Sequence, residues 1–220
     1  MPQKDALPQS GNFEYTLDLR KGLDPSLLFL RTVDSSAFSI SKKEGLELKL
    51  KPETISEYGN PSFVGKRQQH LYSRAETQMQ FGANTQYEKA GLVAFQNENH
   101  FYFLAISQKE GQQVIQLYKS NPDEGEMDEL AHLPLKVDNK KIKLAIESNG
   151  AVHSFHYSVN GKDWQLVKDN VDAKFLSTKV AGGFIGCLYG MYATSSGEKS
   201  ENTASFEYLK YTGNDPVFRD

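Results

Sequence analysis

Between residues 71 and 81 the chain alternates. Leu71, Ala75, Met79 and Phe81 take the odd positions with Ser73 and Thr77 between them, and Tyr72, Arg74, Glu76, Gln78 and Gln80 take the even ones. Successive side chains on a β-strand point to opposite faces, so this period of two gives one core face and one solvent face. Residues 45–50 repeat it, with Leu46, Leu48 and Leu50 set against Glu47 and Lys49. Further strands are expected at 91–95, 100–106, 114–119, 142–147, 152–159, 164–167, 180–193 and 205–211. Asn149-Gly150 and Asn160-Gly161 punctuate three of them, and Asn-Gly suits tight hairpins because both residues tolerate positive φ. No long segment has helical periodicity; residues 24–30 are expected to form a short helical turn after Pro25, and the acidic stretch 121–129 a hairpin loop. The spacing predicts about a dozen short strands in an all-β sandwich.

A chain of 220 residues that is 38% hydrophobic can bury one core, and no second domain is needed. The polar opening with Pro2, Pro8 and Gly11 reads as a linker or disordered start over 1–14, residues 15–211 as the sandwich, and 212–220 as a tail. The opening lacks the apolar core of a signal peptide. No apolar run approaches the roughly 18 residues of a spanning helix. The net charge of -3 is interspersed, with no basic stripe for nucleic acid. The compartment is left open.

Chemistry is sparse. Cys187 is the single cysteine and sits in an apolar stretch, which excludes an internal disulfide and suits an inert core thiol. His153 and His156, the closest histidine pair, fall on opposite faces if their segment is a strand, so they do not share a metal. No nucleophile elbow or phosphate loop is present. With 28 acidic residues, a glycosidase-type carboxylate pair is not excluded by counting, but such a pair is defined by its separation, which sequence does not give.

Three segments carry a resemblance. Gly59-Asn60-Pro61-Ser62-Phe63-Val64-Gly65-Lys66-Arg67-Gln68-Gln69-His70 closely resembles the Pro-Ser-Phe and Arg-Gln-Gln-His signature of the concanavalin A-like domain that follows the catalytic domain in family 43 β-xylosidases. Residues 88–102, with Ala90-Gly91-Leu92 and the Gln96-Asn97-Glu98 turn, are similar to a hairpin of that family. Gly182-Gly183-Phe184-Ile185-Gly186 is similar to its Gly-Gly-Phe segment. The resemblance covers residues 15–211. It implies a jelly-roll sandwich of two antiparallel sheets, attached in such enzymes to a five-bladed propeller that holds the catalytic carboxylates. The family's acidic-aromatic opening strand and tryptophan are replaced here by Leu17-Asp18-Leu19 and Leu27-Leu28, which leaves Asp18 as the candidate for a structural calcium ligand.

Site expectations follow. The polar run Arg67, Gln68, Gln69 and His70 suits a domain interface, a sugar surface, or a buried network tying a loop to the sheet. Phe184, among glycines, is either a ring bordering a partner's substrate pocket or a core residue at a bulge. Tyr58, Tyr102, Trp164, Tyr189 and Tyr192 are the candidate sugar-contacting rings. The leading reading is a non-catalytic accessory domain of a xylan-degrading hydrolase, partnered by the propeller and in contact with xylo-oligosaccharide. The alternative is an independent carbohydrate-binding module; a complete small glycosidase is the third.

Overall fold

The computed structural model describes residues 10–136 and 141–219. Fourteen strands are found among them: β1 (Glu14–Asp18), β2 (Phe38–Ser41), β3 (Gly45–Lys49), β4 (Ser62–Arg67), β5 (Tyr72–Gln80), β6 (Lys89–Asn97), β7 (His100–Lys109), β8 (Gln112–Asn121), β9 (Glu126–Pro134), β10 (Ile142–Asn149), β11 (Val152–Ser158), β12 (Gln165–Asp172), β13 (Leu188–Thr194) and β14 (Thr203–Gly213). One short helix, α1 (Thr178–Ala181), precedes β13. The larger sheet runs β12-β11-β10-β5-β14-β3-β2, with β1 also paired to β14. The smaller runs β4-β13-β6-β7-β8-β9, and every strand pair is antiparallel. This is the expected concanavalin A-like sandwich.

Strand β5 shows why the alternation was informative. Ser73, Ala75, Thr77 and Met79 are buried while Tyr72, Arg74, Glu76, Gln78 and Gln80 are half-buried on the other face. Leu71 departs from the pattern: it is 67% exposed, because it sits just before the strand, where Gly150 N–H of the β10–β11 turn donates to its carbonyl. Strands β6, β7 and β13 are buried along nearly their whole length. The smaller sheet has two apolar faces. Its inner face meets the larger sheet through Leu92, Tyr102, Leu104 and Met191. Its outer face carries Val93, Phe95, Phe101, Phe103 and Tyr192, covered by Ile55, Leu28 and Leu30 from two long connections. A sheet covered on both sides needs continuous apolar runs rather than alternation.

Four expectations are corrected. Residues 24–30 form no helix: after a turn closed by Leu27 N–H on the Asp24 carbonyl, Leu28 bridges to Gly65 through two backbone hydrogen bonds. The acidic stretch is a loop only at its centre, since β8 runs to Asn121 and β9 starts at Glu126; β9 is an edge strand paired only to β8, with weak alternation. Residues 180–187 are helix and loop, and the strand begins at Leu188. Asn160-Gly161 is not a two-residue turn: Asn160 Oδ1 accepts from the N–H groups of Lys162 and Asp163, ordering a longer loop before β12.

Candidate interaction surface

One end of the sandwich gathers most of the candidate residues. Strand β4 delivers Arg67 opposite Leu188 of β13, and just beyond the ladder Gln68 N–H donates to the Cys187 carbonyl at 2.9 Å. The Arg67–His70 run and the segment 178–187 therefore lie side by side. Between the run, the β10–β11 turn and residues 173–177 is a cavity of about 630 Å³, lined by Leu71, Ala151, Leu176 and Cys187 among others. Leu71 on its lining is 67% exposed, and on the segment 178–187 that ends at the lining residue Cys187, Val180, Phe184 and Ile185 are large apolar side chains all more than half exposed.

The run divides by role. Arg67 and Gln69 are exposed. Gln68 is half-buried and its Nε2 donates to the His70 carbonyl at 2.8 Å. His70 is buried, its ring packed edge-on against Phe13 at 4.7 Å. Its Nδ1 pairs with the Tyr211 hydroxyl and its Nε2 with the Gly11 carbonyl, both at 2.9 Å. His70 is thus the member that ties the entering chain to β14. The neighbouring Asp215 supports the tie: its N–H donates to Asn12 Oδ1 at 2.7 Å, and its carboxylate accepts from Tyr72 N–H at 2.8 Å.

Phe184 is fully exposed. Gly182, Gly183 and Gly186 all have positive φ near 70°, a backbone region that L side chains avoid, so the tip needs glycine on both sides of the ring. The alternative of a core phenylalanine at a bulge is not what the chain adopts.

The candidate aromatics separate by burial. Tyr102, Tyr189 and Tyr192 are each 1% exposed and present no ring face to a sugar. Their hydroxyls are used inside: Tyr102 donates to the Asp172 carbonyl, Tyr192 accepts from Ile55 N–H, and Tyr189 pairs with Ser148 at 2.5 Å and Ser73 at 3.2 Å. These three read as surface candidates because sequence does not distinguish a two-faced sheet from a half-exposed one. Trp164 is half-buried, with the Arg74 guanidinium 4.3 Å from its ring centre. Tyr58 is 85% exposed, but on the connection before β4, beside Arg31.

Behind the cavity lies a polar network that the sequence did not announce. Ser148 Oγ contacts His153 Nδ1 at 2.8 Å and also the Tyr189 hydroxyl. Burial pushes His153 down to about 4, so the imidazole is neutral at ordinary pH. Cys187, against the same cavity, is pushed up to about 12 by desolvation and carries no thiolate. His156 lies on the other face of β11, as its offset of three from His153 predicts, and burial lowers it too.

Asp18 is committed elsewhere. Its carboxylate accepts from Arg20 Nε at 2.8 Å and lies 3.5 Å from Lys21 Nζ, and these contacts hold its pKa below the usual range. Among the described residues no group of three or more His, Cys, Asp or Glu side chains could hold a metal ion. A second cavity, of about 600 Å³, is lined by Gln80, Asn84, Gln113 and Asn202. The Gln113 amide is spent on both backbone groups of Ala83, and the Asn202 amide on the Gly82 carbonyl and Glu88.

Comparison with known proteins agrees with the residues quoted above. The chain is 31% identical over 190 residues to a xylosidase/arabinosidase of Butyrivibrio fibrisolvens, covering 85% of this chain and 35% of that protein. It is 28% identical over 185 residues to a non-reducing end alpha-L-arabinofuranosidase of Bacteroides ovatus, covering 83% of this chain and 34% of that protein. The fold superposes with a TM-score of 0.82 on a structure titled Bacteroides ovatus Xyloglucan PUL GH43B, at 24% identity, over 96% of this chain and 40% of that one. A xylan beta-1,4-xylosidase of Bacillus halodurans also gives 0.82, at 22% identity, over 96% and 41%. The chain thus spans about a third of the length of the curated relatives it matches. The model of the beta xylosidase C-terminal concanavalin A-like domain matches residues 19–212, and the chain belongs to that family.

Proposed function

We propose that the chain is a non-catalytic accessory domain of a xylan-degrading glycoside hydrolase of β-xylosidase or arabinofuranosidase type. It docks on a catalytic five-bladed propeller through the loop end and lends Phe184 to the wall of that partner's active site. The observation that carries this reading is the full exposure of Phe184 on a glycine tip, with exposed Val180 and Ile185 on the same segment and exposed Leu71 beyond the neighbouring Arg67–His70 run. Exposed large apolar groups on adjoining segments mark an interaction surface, and Arg67 on the neighbouring run supplies the kind of group enriched where proteins meet. Chain entry supports the same geometry. Gly11 and Asn12 are bonded to His70 and Asp215, so a domain preceding this one would join at the end where the patch lies.

The test is Phe184→Ala in the polypeptide or complex that carries the catalytic domain. Burying a phenylalanine stabilises by about 1.5–3 kcal/mol, so kcat/KM for an aryl xyloside or arabinofuranoside falls about 10- to 150-fold with the fold unchanged. Unchanged kinetics would remove Phe184 from the substrate wall. The binding-module reading predicts instead that this chain alone holds xylo-oligosaccharides, and that the affinity drops on replacing Trp164 or Tyr58.

A further inference from the structure

Three of the five residues in 182–186 are glycines with positive φ, and a Cβ built on any of them would meet nothing within 4 Å. Such a tip has no packing of its own. Among the described residues, 183–186 make no hydrogen bond, so the position of Phe184 is set where the tip begins and ends. It ends at Cys187, held by Gln68 N–H. It begins at the end of α1, and there the β6–β7 turn reaches across. Asn97 Nδ2 donates to the Ala181 carbonyl at 2.9 Å, and Gln96 Nε2 lies 3.5 Å from the Gly182 carbonyl.

The Asn97 amide has one orientation available. Its Oδ1 accepts from Asn99 N–H and faces His100 Nδ1, each at 3.0 Å. An amide oxygen only accepts, so the proton of His100 sits on Nδ1 and Asn97 must turn its donor toward Ala181. The His100 ring is itself packed against Phe175, 4.7 Å away. Gln96 is 1% exposed, and its Oε1 has no hydrogen-bond partner among the described residues, which is the cost of aiming its donor at the loop.

We infer that Asn97, oriented by His100 and backed by Gln96, is a positioning residue that fixes the loop bearing Phe184 and thereby sets the substrate affinity of the joined enzyme. The inference rests on the accessory-domain reading for its second half, while its first half is a property of this chain alone. Two measurements separate them. Hydrogen exchange is followed in this chain as wild type, Asn97→Ala and Asn97→Asp at the amides of Val180, Ala181 and Gly182, which donate to the Ser177 and Thr178 carbonyls where the tip begins. The aspartate keeps the acceptor used by Asn99 and His100 but sets a carboxylate against the Ala181 carbonyl, so the turn stays folded while the tie is lost. Exchange in both variants rises about three- to tenfold, the equilibrium worth of one hydrogen bond. In the joined enzyme the KM for an aryl xyloside rises by a similar factor in Asn97→Asp, with kcat held within about twofold, as expected when only binding is loosened. Unchanged exchange in Asn97→Asp overturns the inference outright. Faster exchange with an unchanged KM, in an enzyme where Phe184→Ala does raise KM, overturns the link to substrate alone. If Phe184→Ala leaves KM unchanged, the placement of Phe184 on the substrate wall falls, and the substrate role of Asn97 falls with it.

Discussion

The ring of Phe63 lies across the backbone of Gly190, so that a Cβ at 190 would overlap it, and across Gly65, whose Cβ would come within 2.7 Å. The three residues belong to β4 and the neighbouring β13, where Gly190 pairs with Gly65 and Tyr192 with Phe63. The two glycines are therefore the seat of the ring, and Phe63 in turn anchors the outer apolar cluster with Phe95, Phe103 and Ile55. Gly190→Ala is expected to destabilise the chain by about 1–3 kcal/mol through overpacking. Urea unfolding of Gly190→Ala, alone and with Phe63→Leu, checks this: if the second substitution recovers none of the loss, the clash with the ring is not its cause.

The second relationship concerns how the entering chain is held. The Tyr211 hydroxyl serves both His70 Nδ1 and Gln69 N–H, each at 2.9 Å. Tyr211→Phe keeps the ring, which stacks on Tyr15 at 5.4 Å, and deletes only the hydroxyl. His70 is buried, so its nitrogen then lacks a partner, at a cost of about 1–3 kcal/mol. A midpoint in denaturant indistinguishable from wild type would show that the hydroxyl is not holding the histidine.

How far the sequence reached follows from burial. Strands β3 and β5 were legible because each has one wet face, and their leucines, alanine and methionine alternate with charge. Strand β9 was not, because an edge strand with mixed side chains carries little periodicity. Tyr102, Tyr189 and Tyr192 read as candidate surface rings and lie in the two-faced sheet, since a strand buried on both sides looks the same in sequence whichever face a tyrosine takes. Phe184 and the Arg67–His70 run were found by motif, yet only the fold shows that His70 points inward while Arg67 and Gln69 face out. Asn97 was visible as part of a turn; its reach to Ala181 crosses 84 positions and is a product of the sheet.

Acid should loosen the chain through His153. Its folded pKa is lowered to about 4, whereas the unfolded imidazole titrates near 6.5. Between those values the unfolded state binds more protons, so stability rises with pH across the window. The contribution of the neutral imidazole is complete above about 6.5 and is lost progressively as the pH falls toward 4, amounting to about 3 kcal/mol at most. His100 and His156 are lowered by burial as well and add to the same slope. In His153→Asn the slope of unfolding free energy between pH 6.5 and 4 flattens. An identical slope in the variant would show that burial does not hold the histidine neutral in the folded chain.

Leu71 gives the sharpest separation of a docking role from a folding role. It continues the alternation of β5 in sequence, so a core reading predicts a large loss on substitution. In the fold it is 67% exposed on the lining of the 630 Å³ cavity, beside the exposed Gln69, at the end of the sandwich where the segment of Val180, Phe184 and Ile185 joins β13. Exposed substitutions away from special features change stability by about 0.5 kcal/mol or less, and Leu71→Ser should do no more in this chain. Where the catalytic domain covers the patch, the same change removes apolar area that had been buried on docking, weakening the contact by about 1–2 kcal/mol. Arg67→Ala at the opposite side of the run should behave alike, with a loss confined to the joined protein. The measurement is chemical unfolding of this chain and of the joined enzyme, each as wild type and variant. Equal losses in both proteins would make Leu71 an ordinary structural residue. A loss in neither would place the docking surface elsewhere on the sandwich.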